Sequence, residues 1–275
     1  MPEDAYRSDR WGRLATAEDF AHAAHTLDAV GRHPSEAAAR AAYLALLDLR
    51  PGQSVLEVGA GTGVIARDAA RRVAPSGRMA ALDAFEPLLA IARADAARAG
   101  LSNVLETHCA DARDLPFADR SFDAAYCHWL LIHLAPATKV VREMMRVTRA
   151  GGRVLCVEAD WETAAVHPGE RSVTRRILNT CCDRHLDGWM GRKLADLMRG
   201  CGLAEVTVHP IVCADEGRDG DAWFAYVRSR ADVALAAGAI TPAECDAWLE
   251  MLDAAYTRGG YLFSVTQFAT VGLVR

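Results

Sequence analysis

The stretch VLEVGAGTG, Val55 to Gly63, is an apolar run broken only by Glu57 that ends in three glycines spaced two apart, Gly59, Gly61 and Gly63. A short apolar run bounded by glycine reads as a buried strand, and the residues from 63 to about 74 read as a helix. Glycine between the two lets the chain turn sharply, and it brings amides at a helix N-terminus close to a ligand. The alternative is a turn that only packs strand on helix. Counted from Gly59, a dinucleotide fingerprint would need Gly or Ala where Val64 stands, and no GK[ST] follows to cradle a phosphate.

Outward from this turn, short apolar runs alternate with helical patterns, the signature of parallel strands joined by crossover helices. Strands are predicted at 54–59, 78–83, 104–109, 122–127 and 153–159, and helices at 63–74, 86–99 and 136–149, closed by APSG, AGLSN and RAGG. Two helices, 16–31 and 35–49, precede the sheet, the first opened by Thr16 with Asp19 three residues on. After Asp160 the pattern loosens. A helix at 191–199 then leads into the alternating strand LAEVTVHPIVC, and YLFSVTQFATVGLV is the final strand. The insertion from about 214 to 260 holds two helical patterns, the second opened by the capping box Thr241-Pro242-Ala243-Glu244. The expected organisation is an N-terminal helical cap over 1–50 and one α/β domain over 51–275 with a helical lid at about 214–260.

Composition narrows the classes of function. A net charge of -5 gives no general field for nucleic acid, so a nucleic-acid partner is not expected. The eight cysteines form no CxxC pair, and several sit in apolar runs such as AAYCHW and VLCVEA, where they read as reduced core thiols. Neither a secretory leader nor a membrane span is signalled, which predicts a cytoplasmic protein without a membrane partner. No metal-ligand spacing appears, so no metal is expected. A homodimer is left open.

Two acids extend the ligand reading. Asp83 ends the second strand twenty residues after Gly63, where a carboxylate can accept both hydrogen bonds of a ribose diol; capping the helix that begins near Glu86 is its alternative role. Asp111-Ala112 follows the third strand within CADARDLPFADRSFD, and KVVREMMRVTRAGG runs into RVLCVEA.

Taken in order, these four segments resemble the class I S-adenosylmethionine-dependent methyltransferases, near the type-11, ubiquinone/menaquinone-biosynthesis-like group. The resemblance covers about residues 50 to 160. It implies a Rossmann-like, doubly wound, mostly parallel seven-stranded sheet with an antiparallel last strand, N-terminal helices and a helical lid. It also implies S-adenosylmethionine as cofactor, S-adenosylhomocysteine as product and a small-molecule substrate. The cofactor is expected over Glu57, Gly59, Ala60, Gly61, Thr62, Asp83, Ala84, Asp111, Ala112 and His128, with Asp111 toward the adenine amino group.

Methyl transfer from a sulfonium is an in-line displacement, so the protein mainly aligns the nucleophile and, where needed, takes its proton. His133 in HWLLIHL is the first candidate base, its alternative being a packed structural histidine. Asp160, after the fifth strand, is the second candidate. Either it or Glu158, on the same face, has an alternative as the partner of a surface arginine. Aromatic residues gather in the decorations, among them Tyr6, Trp11, Trp161, Trp189, Trp223, Tyr226 and Trp248. An aromatic wall suits an apolar or aromatic substrate, or a cationic amine held by cation-π attraction. The expected activity is methylation of O, N or C on a small aromatic or apolar metabolite, of natural-product or quinone type. The alternatives are a cofactor-binding member that does not methylate, and an RNA or protein methyltransferase; the latter lacks an N/D-P-P-Y/F motif, since Cys127-His128-Trp129-Leu130 stands there.

Overall fold

The computed structural model describes residues 16–275, so Tyr6, Trp11 and the start of the predicted cap lie outside the described residues. Helix α1 (Ala17–Arg32) begins at the expected capping box. The Asp19 amide donates to Thr16 Oγ1 at 3.1 Å, and the Thr16 amide donates back to Asp19 Oδ2 at 2.9 Å. Helix α2 (Pro34–Ala45) follows. The α/β succession is then β1 (Ser54–Val58), α3 (Val64–Val73), β2 (Arg78–Asp83), α4 (Glu86–Arg98), β3 (Leu105–Cys109), β4 (Phe122–His128), α5 (Ala137–Val147) and β5 (Thr148–His167).

The chain closes with α6 (Arg171–Asp183), α7 (Met190–Cys201), β6 (Ala204–Asp215), α8 (Ala222–Ala236), α9 (Pro242–Arg258) and β7 (Leu262–Leu273). The seven strands lie in the order β3-β2-β1-β4-β5-β7-β6. Strands β1 to β5 pair in parallel, and β7 inserts antiparallel between β5 and β6. This is the doubly wound sheet with an antiparallel last strand that the sequence predicted.

Both faces are covered, and so the central strands can be apolar almost throughout. Side chains alternate between faces: Leu56, Val58, Ala80, Cys127 and Cys156 join one cluster, while Val55, Met79, Ala81, Tyr126 and Leu155 join the other. All eight cysteines are free thiols; six are buried, Cys201 is half-buried and Cys109 is exposed, so the core reading fails for Cys109. No helix among the described residues is long and apolar enough to cross a membrane.

Two differences from the sequence reading matter for the site. Strand β5 runs to His167 instead of stopping at 159, because after an irregularity between Asp160 and Ala165 it pairs with β7 again. Helix α6 was not anticipated in the stretch read as loose. Its pattern is nevertheless regular, with Val173, Ile177 and Cys181 buried at steps of four and the Glu170 carboxylate accepting from the Ser172 and Val173 amides.

Candidate functional site

At the carboxyl end of β1 the backbone enters the left-handed region at Gly59 (φ 80°) and Gly61 (φ 53°), which favours glycine at both positions. Space adds a second constraint: a Cβ on Gly59 would stand 2.8 Å from a Leu130 methyl. The turn is tied to the next strand, for the Gly59 and Ala60 amides donate to the Leu82 carbonyl at 2.8 and 2.9 Å. The Gly61 amide donates to Asp83 Oδ2 at 2.7 Å, and the Phe85 amide donates to Asp83 Oδ1 at 3.0 Å. Burial pushes the Asp83 carboxyl above the usual range.

This turn forms one wall of a cavity of about 420 Å³. Glu57, Gly59, Ala60, Gly61, Thr62, Asp83, Ala84, Ala112, His128 and His133 line it, so ten of the expected positions meet there. Helix α1 closes over the turn, with Thr62 Oγ1 donating to Asp28 Oδ1 at 2.7 Å and Leu27 and Val30 facing the cavity.

Glu57 is buried and accepts from the Tyr126 hydroxyl at 3.1 Å. Burial raises its pKa from 4.5 to about 8. Since the folded value lies above the unfolded one, the stability that depends on this proton is complete below about 4.5 and is lost as pH rises through about 8. Glu57→Gln stays neutral and still offers Tyr126 an acceptor. Its melting temperature is therefore expected to fall less than that of the wild type between about pH 5 and 8, by thermal unfolding across that range. Parallel curves for the two proteins would contradict this.

Asp111 does not line the cavity, although its neighbours Ala110 and Ala112 do. Its carboxylate is forked by Arg113, with Nη2 at 2.6 Å from Oδ2 and Nε at 3.0 Å from Oδ1, and this pairing holds its pKa below the usual range. This corrects the expectation of a carboxylate facing the ligand: here it is held by Arg113, and the residue is absent from the cavity wall.

The end of β4 supplies a polar chain. Gln267 Nε2 donates to both Glu36 oxygens at 2.9 Å, so its carbonyl oxygen faces His128 and accepts from Nε2 at 3.2 Å, which fixes the histidine tautomer. Burial lowers the His128 pKa to about 4, leaving the ring neutral at physiological pH, and Tyr43 stacks on it at 5.4 Å. Beyond His128, the Leu130 and Leu131 amides donate to buried Glu158 Oε1 at 2.8 and 2.6 Å. Glu158 thus anchors the single 3₁₀ turn (Leu131–His133) that carries His133 into the cavity.

Asp160 is placed otherwise than expected. It is buried outside the cavity lining, where Arg192 of α7 grips it through Nη2 to Oδ1 at 2.8 Å and through Nε to Oδ2. A buried carboxylate needs such a partner, and the arginine-pairing alternative holds for this residue.

Another part of the cavity wall is aromatic. Trp129 lies 5.9 Å, centroid to centroid, from both Trp161 and Trp223, and Tyr226 lies 5.5 and 5.4 Å from the same two rings. Trp248 takes the structural alternative: it is buried in the lid and donates to Thr174 Oγ1 at 3.0 Å. Trp189 is exposed at 44%. Sequence reasoning missed Glu36, Arg40 and Tyr43 on α2, together with Cys181, Arg184 and His185 around the end of α6. The apolar period of α6 was the available signal for the latter group.

Among known proteins, the Methyltransferase domain family matches residues 56–156. The chain is 31% identical over 176 residues to a ubiquinone/menaquinone biosynthesis C-methyltransferase, UbiE, of Bordetella avium, covering 58% of this chain and 67% of that protein. It is 29% identical over 233 residues to an uncharacterized 37.1 kDa protein in transposon Tn4556 of Streptomyces fradiae, covering 84% of this chain and 66% of that protein. Across these and further curated relatives, the aligned part spans between 44% and 67% of the relative's length. In fold, a SAM-dependent methyltransferase from Aquifex aeolicus superposes with a TM-score of 0.54 at 16% identity, covering 90% of this chain and 97% of that one.

Proposed function

Since the chain belongs to the class I S-adenosylmethionine-dependent methyltransferases, we propose that it moves a methyl group from that cofactor to an O, N or C nucleophile of a small apolar or aromatic metabolite. The observation that carries the reading is one cavity with two unlike ends: a glycine turn closed by Asp83, and an aromatic wall.

The residues at the first end suit the cofactor. A Cβ would meet Leu130 at 2.8 Å on Gly59 and Leu27 at 3.2 Å on Gly61, so glycine keeps this backbone at the cavity wall, and Asp83 keeps acceptor capacity beyond the two amides that it already receives. When bound, S-adenosylmethionine supplies an electrophilic methyl group on a sulfonium. Asp83 then accepts from the ribose hydroxyls, while Gly59 to Thr62 and buried Glu57 surround the amino-acid end. Ala84 and Ala112, which line the same end, would flank the adenine. His128, neutral and held by Gln267, borders the region between the two ends.

His133 is the residue we assign to proton removal from the acceptor, with Glu158 positioning it by holding the turn. Asp160 takes no part in that step. Helices α1 and α2 form a cap and α8 and α9 a lid over the aromatic end. The relation to the quinone enzymes, together with this wall, supports an aromatic or quinone-like acceptor.

The test is incubation with methyl-labelled S-adenosylmethionine and a panel of hydroquinones, phenols and aromatic acids. Label recovered in an organic product is the expected result. Tight cofactor binding without transfer to any member of a broad panel would favour a non-methylating member of the fold, and the proposal would fall.

A further inference from the structure

Charge is unevenly divided along the cavity. Among the described residues, the carboxylates that line it are Glu36, Glu57 and Asp83, carried by α2, β1 and β2. Arg40, also on α2, lines the cavity beside them but is paired with Asp68 at 2.5 Å; at the aromatic end the charged lining is Arg184 and Arg230, with no carboxylate among the described residues that line it. A series of rings leads there from the candidate base: His133 lies 5.8 Å from His185, His185 stacks on Trp161 at 5.4 Å, and Trp161 lies 5.5 Å from Tyr226. The Arg230 guanidinium then sits 4.0 Å over the Tyr226 ring.

Arg230 is half-buried, and among the described residues no carboxylate lies within ion-pair distance of it. Its Nε donates to the Tyr226 carbonyl at 3.2 Å and its Nη2 to Ser229 Oγ at 3.0 Å, which leaves further N–H donors for a ligand. Neighbouring arginines behave differently: Arg228, on the same helix, is forked on Asp253 at 2.7 and 2.8 Å, and Arg176 pairs with Glu244. His185 brings no competing charge, because burial and the nearby Arg230 lower its pKa to about 4.

We propose that the aromatic end of the cavity recognises an organic anion, a carboxylate or a phosphate on an otherwise apolar substrate, with Arg230 as its partner. The inference rests on the reading that the opposite end holds S-adenosylmethionine. It also decides between two substrates that an aromatic wall alone would serve. A guanidinium already occupies the face of Tyr226, so a cationic amine meets like charge there, whereas an anion meets a forked donor in a partly desolvated setting.

The test uses four ligands that share one ring system: 2-naphthoate, 2-naphthyl phosphate, 2-naphthalenemethanol and 2-naphthylmethylamine. Each is titrated calorimetrically into the wild type, Arg230→Met and Arg230→Lys, with and without saturating S-adenosylhomocysteine. A charge-assisted pair predicts that at least one anion binds the wild type about tenfold or more tightly than the alcohol, with the amine weakest. Which anion binds separates a carboxylate from a phosphate substrate. Arg230→Met should bring that anion to the alcohol's level, and Arg230→Lys should keep part of the preference; S-adenosylhomocysteine affinity in each variant reports that the fold is intact. The proposal is overturned if the amine or alcohol binds as tightly as both anions, if the preference survives in Arg230→Met, or if none of the four binds. Failure of the wild type to bind S-adenosylhomocysteine is read separately and counts against the proposed function.

Discussion

Replacing Asp83 with alanine is expected to weaken binding of S-adenosylhomocysteine by about a hundredfold, since hydrogen bonds to a charged group contribute roughly 1.5–3 kcal/mol each and about 1.4 kcal/mol is a factor of ten. Two effects act together. The carboxylate would no longer be available to the ribose hydroxyls, and the Gly61 amide, which now donates to Asp83 Oδ2 at 2.7 Å, would lose its acceptor and loosen the turn. Asp83→Asn keeps the shape but leaves one acceptor oxygen for two backbone donors, so its NH2 faces either the Gly61 or the Phe85 amide, and both folding stability and affinity should fall. Isothermal titration with thermal unfolding as a control reads both quantities. Unchanged affinity in Asp83→Ala would remove Asp83 from the cofactor site.

His133→Ala is expected to lower turnover of an acceptor identified by label transfer by about 10²–10⁴, the usual contribution of a positioned general base. Cofactor affinity should stay near that of the wild type, because the proposed cofactor contacts are made by the glycine turn, Glu57 and Asp83 and not by His133. The informative comparison is kcat against the Kd for S-adenosylhomocysteine across pH. A base role predicts that kcat falls and that its dependence on pH changes form. A residue that only packs against His185, whose ring lies 5.8 Å away, would alter stability and leave the pH profile of kcat in place. Full turnover in His133→Ala would contradict the assignment.

The sheet was legible because its central strands are apolar on both faces and are punctuated by glycine turns, so element type followed from length and flanks. Strand β5 past residue 159 and helix α6 were less legible, for a physical reason. The β5 extension is half-exposed and is held by pairing with β7, Ala165 with Ser264 and His167 with Leu262, far away in the chain, and no local pattern encodes that partner. The glycine spacing alone was weaker than it looked. Counted from Gly61, the dinucleotide pattern is satisfied by Gly63 and Ala66. Asp83 does not separate the two, since a ribose-binding acid about twenty residues on belongs to both; separation comes from the resemblance that continues through Asp111-Ala112 and from the antiparallel β7.

Side-chain partners were the hardest part to read. Nothing in the sequence tells Asp83, which faces the cavity, from Asp111, which Arg113 holds two residues away, or from Asp160, which Arg192 reaches from α7. In each case the partner decides whether a carboxylate is free to meet a ligand. The cavity's arginine end depended on α6 and α8 meeting over β5, a matter of packing between segments that pattern alone does not bring together.

The most direct test of the account is a crystal structure of the protein with S-adenosylhomocysteine. The account predicts the ribose hydroxyls on Asp83, the amino-acid end against Gly59 to Thr62 beside Glu57, and the sulfur directed toward Trp129 and His133. Ligand density elsewhere, or a ribose that makes no contact with Asp83, would contradict it.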